Sequence, residues 1–354
     1  MGATGSLEQL CQDVVDQGIY GRCMSLFVAH EGRVVVDVTA RASGAPGPER
    51  PLYVAYCLTK PFLALAIGHL VDAGRLSLDT TLDDLVPGWG LGVLTVRDVL
   101  CHDAGLGEPP AFVWRMHRPA ERDALLRDAP APSPGTAAYS EVRGWRLMEM
   151  VITALTGCDA STFVQETVLT PLALHDVRLH GEPAMAAQRA GRIEVPVAGL
   201  PVTEVPMLTE CLAVTAAQTR PCFGGYVSTA DMGHLYASMN KVLAGEAIGG
   251  LPTRGTLTEM LATRRGRRWD EVIRKECSFA CGFMVELQDH GLTTRASPDA
   301  FGHLAGLSPA FALADPGVDL AVAFSTEGAT SSPEELQSFR RQVTGLVYEQ
   351  VRGG

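Results

Sequence analysis

Tyr53-Val54-Ala55-Tyr56-Cys57-Leu58-Thr59-Lys60-Pro61-Phe62-Leu63-Ala64-Leu65-Ala66-Ile67 reads as an extended approach followed by a long apolar run. Proline suits a first helical turn, where its missing N–H costs no hydrogen bond. With the helix opening at or just before Cys57, the i,i+3 spacing puts the thiol and the Lys60 amine on one face. Lys60 is one of only three lysines among 29 basic residues; the rest are arginine. An arginine keeps its proton in a protein, whereas a buried lysine can be tuned and can exchange one. A thiol beside an ammonium and a helix N-terminus is expected to have a lowered pKa and to be a competent nucleophile. Taken alone, a C-x-x-K spacing is also what an inert buried thiol and a chance lysine produce. The neighbouring segments decide.

Downstream come Gly74-Arg75-Leu76-Ser77-Leu78-Asp79, Leu85-Val86-Pro87 and Leu94-Thr95-Val96-Arg97-Asp98-Val99-Leu100-Cys101-His102-Asp103-Ala104-Gly105-Leu106. Tyr139-Ser140-Glu141, Gly224-Gly225-Tyr226-Val227-Ser228-Thr229-Ala230-Asp231 and Phe301-Gly302-His303-Leu304-Ala305-Gly306 follow in that order, with Phe311-Ala312-Leu313-Ala314-Asp315-Pro316 behind. Together these segments resemble the superfamily of serine β-lactamases, D,D-peptidases, class C-type esterases and related acyltransferases, over nearly the whole chain. In that superfamily a Ser-x-x-Lys motif opens a buried helix. The resemblance implies an α/β (α+β) β-lactamase-like fold: an antiparallel sheet from both termini, flanked by helices, plus an all-helical lobe. The expected division is 1–70 with 215–354 for the sheet lobe and 71–214 for the helical lobe, in one unit with the site at their junction. Local patterns agree. Residues 24–30 and 33–39 are strand-like runs joined across Glu31-Gly32, residues 61–174 are mainly helical, and residues 332–351 form a closing helix with Glu334-Glu335 in its first turn.

The resemblance assigns site residues. Cys57 stands at the nucleophile position, usually serine, and Lys60 is its partner or proton relay. Tyr139 is similar to the family's acid/base tyrosine. Glu141 replaces an asparagine, and no neighbouring residue can substitute, because Asn240 is the only asparagine. A carboxylate there would hold Lys60 protonated or accept a proton from an incoming amine or alcohol; the alternative is an exposed loop glutamate. His303 stands where relatives place a basic substrate contact, with an edge-strand structural role as the alternative. His102 matches a supporting position outside the site. The oxyanion hole is expected from the backbone N–H of Cys57 and one of Gly306, Leu307 and Ser308, since Pro309 has none to donate.

Composition bounds the function. A net charge of −11 disfavours nucleic acid as a partner, and no apolar run is long enough for a membrane helix. The N-terminal segment lacks a signal-type core, and nine cysteines without a C-x-x-C pair suit reduced cytosolic thiols. A cytoplasmic location is therefore expected. Neither a metal nor another cofactor is expected, since Cys101-His102 and Cys277-x-x-x-Cys281 lack zinc-ligand spacing. Arg264, Arg265, Arg267, Arg268, Arg274 and Lys275 form a basic cluster, either a docking patch for a carrier protein or coenzyme A, or a solvated loop. The leading expectation is an acyltransferase working through a Cys57 acyl-thioester on a small-molecule donor and acceptor, in bacterial secondary metabolism. The alternatives are a family hydrolase (esterase or amidase), a Cys57-dependent addition or cyclisation enzyme, and a non-catalytic ligand-binding scaffold.

Overall fold

The computed structural model describes residues 4–18, 20–88, 90–108, 132–192, 197–198, 221, 224–262, 265–306, 308–329 and 332–353. Helix α1 (Thr4–Gln17) leads to a hairpin of β1 (Cys23–His30) and β2 (Arg33–Arg41). Glu31 and Gly32 connect them with φ of 50° and 72°, the two-residue turn whose twist matches that of paired antiparallel strands. Strand β3 (Tyr53–Val54) precedes a 3₁₀ turn, Tyr56–Thr59, that continues into α2 (Lys60–Asp72). A mostly helical section follows: α3 (Leu82–Leu85), α4 (Val96–Leu100), α5 (Arg143–Thr156) and α6 (Ala160–Val164), then β4 (Val177–Arg178), α7 (Gly181–Arg189) and β5 (Val197–Ala198). The chain continues through β6 (Tyr226–Val227), α8 (Thr229–Ala244) and α9 (Arg254–Ala262). The closing strands are β7 (Arg268–Asp270), β8 (Lys275–Ala280), β9 (Phe283–Val285), β10 (Phe301–Leu304), β11 (Phe311–Asp315), β12 (Leu320–Thr326) and β13 (Gly328–Ala329), before α10 (Pro333–Gly353).

Eight strands form one sheet in the order β2-β1-β12-β11-β10-β9-β8-β7, with every neighbouring pair antiparallel. Strand β1 pairs with β12, so both ends of the chain build the sheet, as expected. The period of two sorts side chains by size. Met24, Leu26 and Val28 join Phe311, Leu313, Val322 and Phe324 on one face, packed on Leu7, Val14, Val343 and Val347 from the terminal helices. The opposite face carries the small residues Ala312, Ala314, Ala321 and Ala323, which share a core with α2 and α8. Short side chains let a helix approach the sheet closely while the bulky face supplies most of the buried apolar surface. Ten residues of α2 are buried, Lys60 among them, so it is an interior helix and not an amphipathic surface one.

The expected lobe boundary at residues 70/71 falls inside α2, which runs unbroken to Asp72, and the 214/215 boundary lies outside the described residues. Among the described residues, no single helix is long and apolar enough to cross a membrane.

Candidate active site

The nucleophile segment is held by a short sheet and a tight turn. Tyr53 pairs with Val227 and Val54 with Tyr226, and the Ala55 N–H donates to the Gly225 carbonyl at 2.7 Å. A Cβ at Gly225 would lie 2.7 Å from Leu179 and 2.8 Å from Thr59, so the Gly224-Gly225 pair lets this strand approach the turn. Tyr56 then adopts φ of 47°, a left-handed conformation costing a bulky residue roughly 1–3 kcal/mol. Its carbonyl is held by the Thr59 hydroxyl at 3.0 Å. The strained residue aims Cys57 out of the turn. Cys57 therefore sits in a 3₁₀ turn and the α-helix begins at Lys60, three residues later than the simplest reading of the motif.

Glu141 lies between the two motif residues. The Cys57 thiol donates to Glu141 Oε1 at 2.9 Å, and Lys60 Nζ donates to the same oxygen at 3.1 Å. Lys60 is fully buried, and Glu141 is one-fifth exposed. The Tyr139 hydroxyl faces the thiol and is buried without another hydrogen-bond partner. Lys60 Nζ lies 5.4 Å from the centroid of the Tyr139 ring.

The expected thiolate is corrected by this arrangement. Burial, and next the negative charge of Glu141, push the Cys57 thiol up to about 11, against the opposing pull of Lys60. At neutral pH Cys57 is a thiol, and it needs a base to become a nucleophile. Burial also pushes Tyr139 well above its ordinary value, reinforced by Cys57 and Glu141, so the phenol keeps its proton at neutral pH and can offer it in a hydrogen bond.

Glu108, which no motif marked, holds the loop that carries Glu141. It accepts from the Ser140 hydroxyl at 3.0 Å, from the N–H groups of Glu141 at 2.9 Å and Val142 at 3.1 Å, and from that of Arg143. Burial pushes its carboxyl above the ordinary carboxylate range, and these donors pull the other way. His102 accepts from the Ser140 N–H at 3.0 Å and packs its ring 4.4 Å from that of Tyr139. Burial holds it neutral. Asp270 accepts from the Tyr139 N–H at 3.1 Å and is paired at 2.7 Å with Arg265, both side chains being fully inaccessible. Breaking such a pair strands a buried charge. Asp270→Ala should cost roughly 3–5 kcal/mol, read from the urea midpoint; a loss below about 1 kcal/mol would mean the pair does not anchor Tyr139.

Cys57, Tyr139, Glu141 and Gly306 line a cleft of about 350 Å³ with the apolar side chains of Ile273, Met284, Leu304 and Leu336. Gly306 is therefore the oxyanion candidate placed beside Cys57. Ser308 is buried, its carbonyl accepting from Arg340 at 2.5 Å, and Leu307 lies outside the described residues. His303 is corrected as a cleft contact. It is fully buried in β10, its Nδ1 lies 3.1 Å from the Leu304 carbonyl, and it is absent from the cleft wall. Burial and then Lys60 push it down to about 3, so it is neutral. Arg340 was not foreseen: its guanidinium donates to the carbonyls of Ala305, Ser308 and Pro309 and ties down the segment carrying Gly306.

Comparisons with known proteins bear on the family and the fold. An esterase/beta-lactamase of Mycobacterium tuberculosis (strain ATCC 25618 / H37Rv), LipL, is 29% identical over 182 residues, covering 49% of this chain and 42% of that protein. The match thus spans less than half the length of that relative. Among solved structures, a family VIII carboxylesterase superposes with a TM-score of 0.77 at 19% identity, over 99% of this chain and 98% of that one. EstCE1, described as a hydrolase with promiscuous acyltransferase activity, superposes at 0.74 with 17% identity, over 98% of each chain. At such identities these superpositions establish the fold. A family model described as Beta-lactamase matches residues 9–344, which takes in every segment of the site, and the chain therefore belongs to the Beta-lactamase family.

Proposed function

We propose that this chain is an acyltransferase acting through an acyl-thioester on Cys57, with Glu141 as the proton acceptor. The observation that carries the reading is the single Glu141 oxygen shared by the Cys57 thiol at 2.9 Å and Lys60 at 3.1 Å. A thiol attacking an ester or thioester carbonyl passes its proton to that oxygen as the S–C bond forms. Negative charge gathers on the carbonyl oxygen, where the N–H groups of Cys57 and Gly306 are the available donors. The intermediate collapses, the donor's alcohol or thiol leaves, and the proton held on Glu141 goes with it. An amine or alcohol then attacks the thioester, Glu141 takes its proton, and the thiol is restored. Lys60 Nζ holds the same Glu141 oxygen by its hydrogen bond and so keeps the carboxylate in place for the thiol proton.

A thioester favours nitrogen nucleophiles more than an oxygen ester does, which is the chemical argument for transfer over hydrolysis. The donor in this reading is a small acyl thioester of coenzyme A or a carrier protein, in reduced cytoplasm and in bacterial secondary metabolism. The basic cluster does not support docking of a carrier, because its described arginines are tied to carboxylates. Arg264 lies outside the described residues. The hydrolase reading is favoured by the esterase relatives. Product partition separates the two. At saturating amine, transfer gives amide as the main product; steady acid release across a broad amine and alcohol panel would overturn transfer and leave a hydrolase.

A further inference from the structure

The basic run divides by the partners of its members. Arg265 is buried against Asp270, Arg267 reaches Glu276 and Asp289, Arg268 reaches Asp103, and Arg274 reaches Glu271. Lys275 differs. It stands half-buried at the first position of β8, on the wall of the cleft, and makes no side-chain hydrogen bond or ion pair among the described residues. The charges around it are Arg341 and Arg267, which repel its ammonium, and Asp289, which attracts it. Asp289 is already engaged by Arg267 at 3.5 Å. Burial and then Arg341 hold the Lys275 ammonium below its ordinary pKa. The charged form lacks a counter-ion.

The rest of the cleft supplies none. Its two carboxylates, Glu141 and Asp289, are paired with Lys60 and Arg267. Arg340 donates to three backbone carbonyls and to no carboxylate among the described residues. His290 is neutral, pushed down to about 4 by burial. Lys275 and Arg340 therefore leave the cleft with excess positive charge, in a chain whose net charge is −11. A low-dielectric cleft of one sign concentrates ligands of the other. The same cleft that holds Cys57 and this charge is also lined by Ile273, Met284 and Leu304, apolar side chains that suit a short methylene chain.

We propose that the acyl group handled by this cleft ends in a carboxylate, as in a half-thioester of a short dicarboxylic acid, and that Lys275 is its counter-ion. The proposal rests on the acyl-transfer reading, because it names the donor of that site. Two measurements on the full chain keep the two apart. Calorimetry compares adipamate, an inert monoanion, with neutral adipamide. Adipamate should bind wild type about tenfold more tightly. That preference should fall to about one in Lys275→Gln and survive in Lys275→Arg. Intact mass, in parallel, follows acylation of Cys57 by an adipoyl thioester and by its methyl-ester twin. Failure of both thioesters to acylate would defeat the acyl-transfer reading, whatever the calorimetry gives. Equal binding of the two amides, no binding of either, or a preference that persists in Lys275→Gln would overturn the role of Lys275, however efficient the acylation.

Discussion

Glu141→Gln will slow acylation by about 10²- to 10⁴-fold and will at the same time speed alkylation of Cys57 by iodoacetamide near pH 8. The opposed signs follow from one contact. Glu141 accepts the thiol proton, so its amide analogue removes the base that acylation needs. The same carboxylate is the second cause, after burial, of a thiol pushed up to about 11, while Lys60 pulls it down. With Glu141 neutral, Lys60 acts unopposed and the thiolate fraction rises about tenfold for each pKa unit lost. Lower intrinsic nucleophilicity of a weaker base returns part of that gain, leaving roughly threefold per unit. Lys60→Ala should move alkylation the other way, because it removes the charge that lowers the thiol pKa. A Glu141→Gln enzyme that is slower in both assays would mean that the substitution disorders the loop and that Glu141 is no base.

Cys57→Ala will abolish acyl transfer, by about 10⁴-fold or more, and Cys57→Ser will retain little. A serine hydroxyl is far less acidic than the thiol, and Glu141, already sharing its oxygen with Lys60, is a weak base for it. Turnover of one thioester substrate by the three proteins reads the effect. A Cys57→Ser rate near wild type would show that the site runs as a serine enzyme and that the thiol has no special part.

The fold was legible through the family resemblance, and local patterns agree with it. The alternation of Met24, Leu26 and Val28 with Phe27 and Ala29 states which face each side chain takes, and Glu31-Gly32 states where the strand reverses. The site was legible only where a motif holds its members close in sequence or marks them by order. Glu108 reaches Glu141 across 33 residues, Asp270 reaches Tyr139 across 131, and Arg340 reaches Ala305 across 35. No spacing rule carries such contacts, since an acidic or basic residue far from a motif looks like any surface charge until the chain folds over it. The protonation of Cys57 was misread for a related reason. The sequence places a lysine one turn away, but only the folded chain sets a carboxylate between thiol and ammonium. His303 failed on burial, because β10 is covered on both faces where a short motif reads equally well as a cleft edge.

The central claim, an acyl group carried on Cys57 and passed on from there, is tested most directly by quenching the protein during turnover of a thioester, locating the adduct by peptide mass and chasing it with amine. The expected result is one acyl group on the peptide containing Cys57, absent in Cys57→Ala and discharged to amide on adding the amine. An adduct on another residue, or turnover in Cys57→Ala at the wild-type rate, would contradict it.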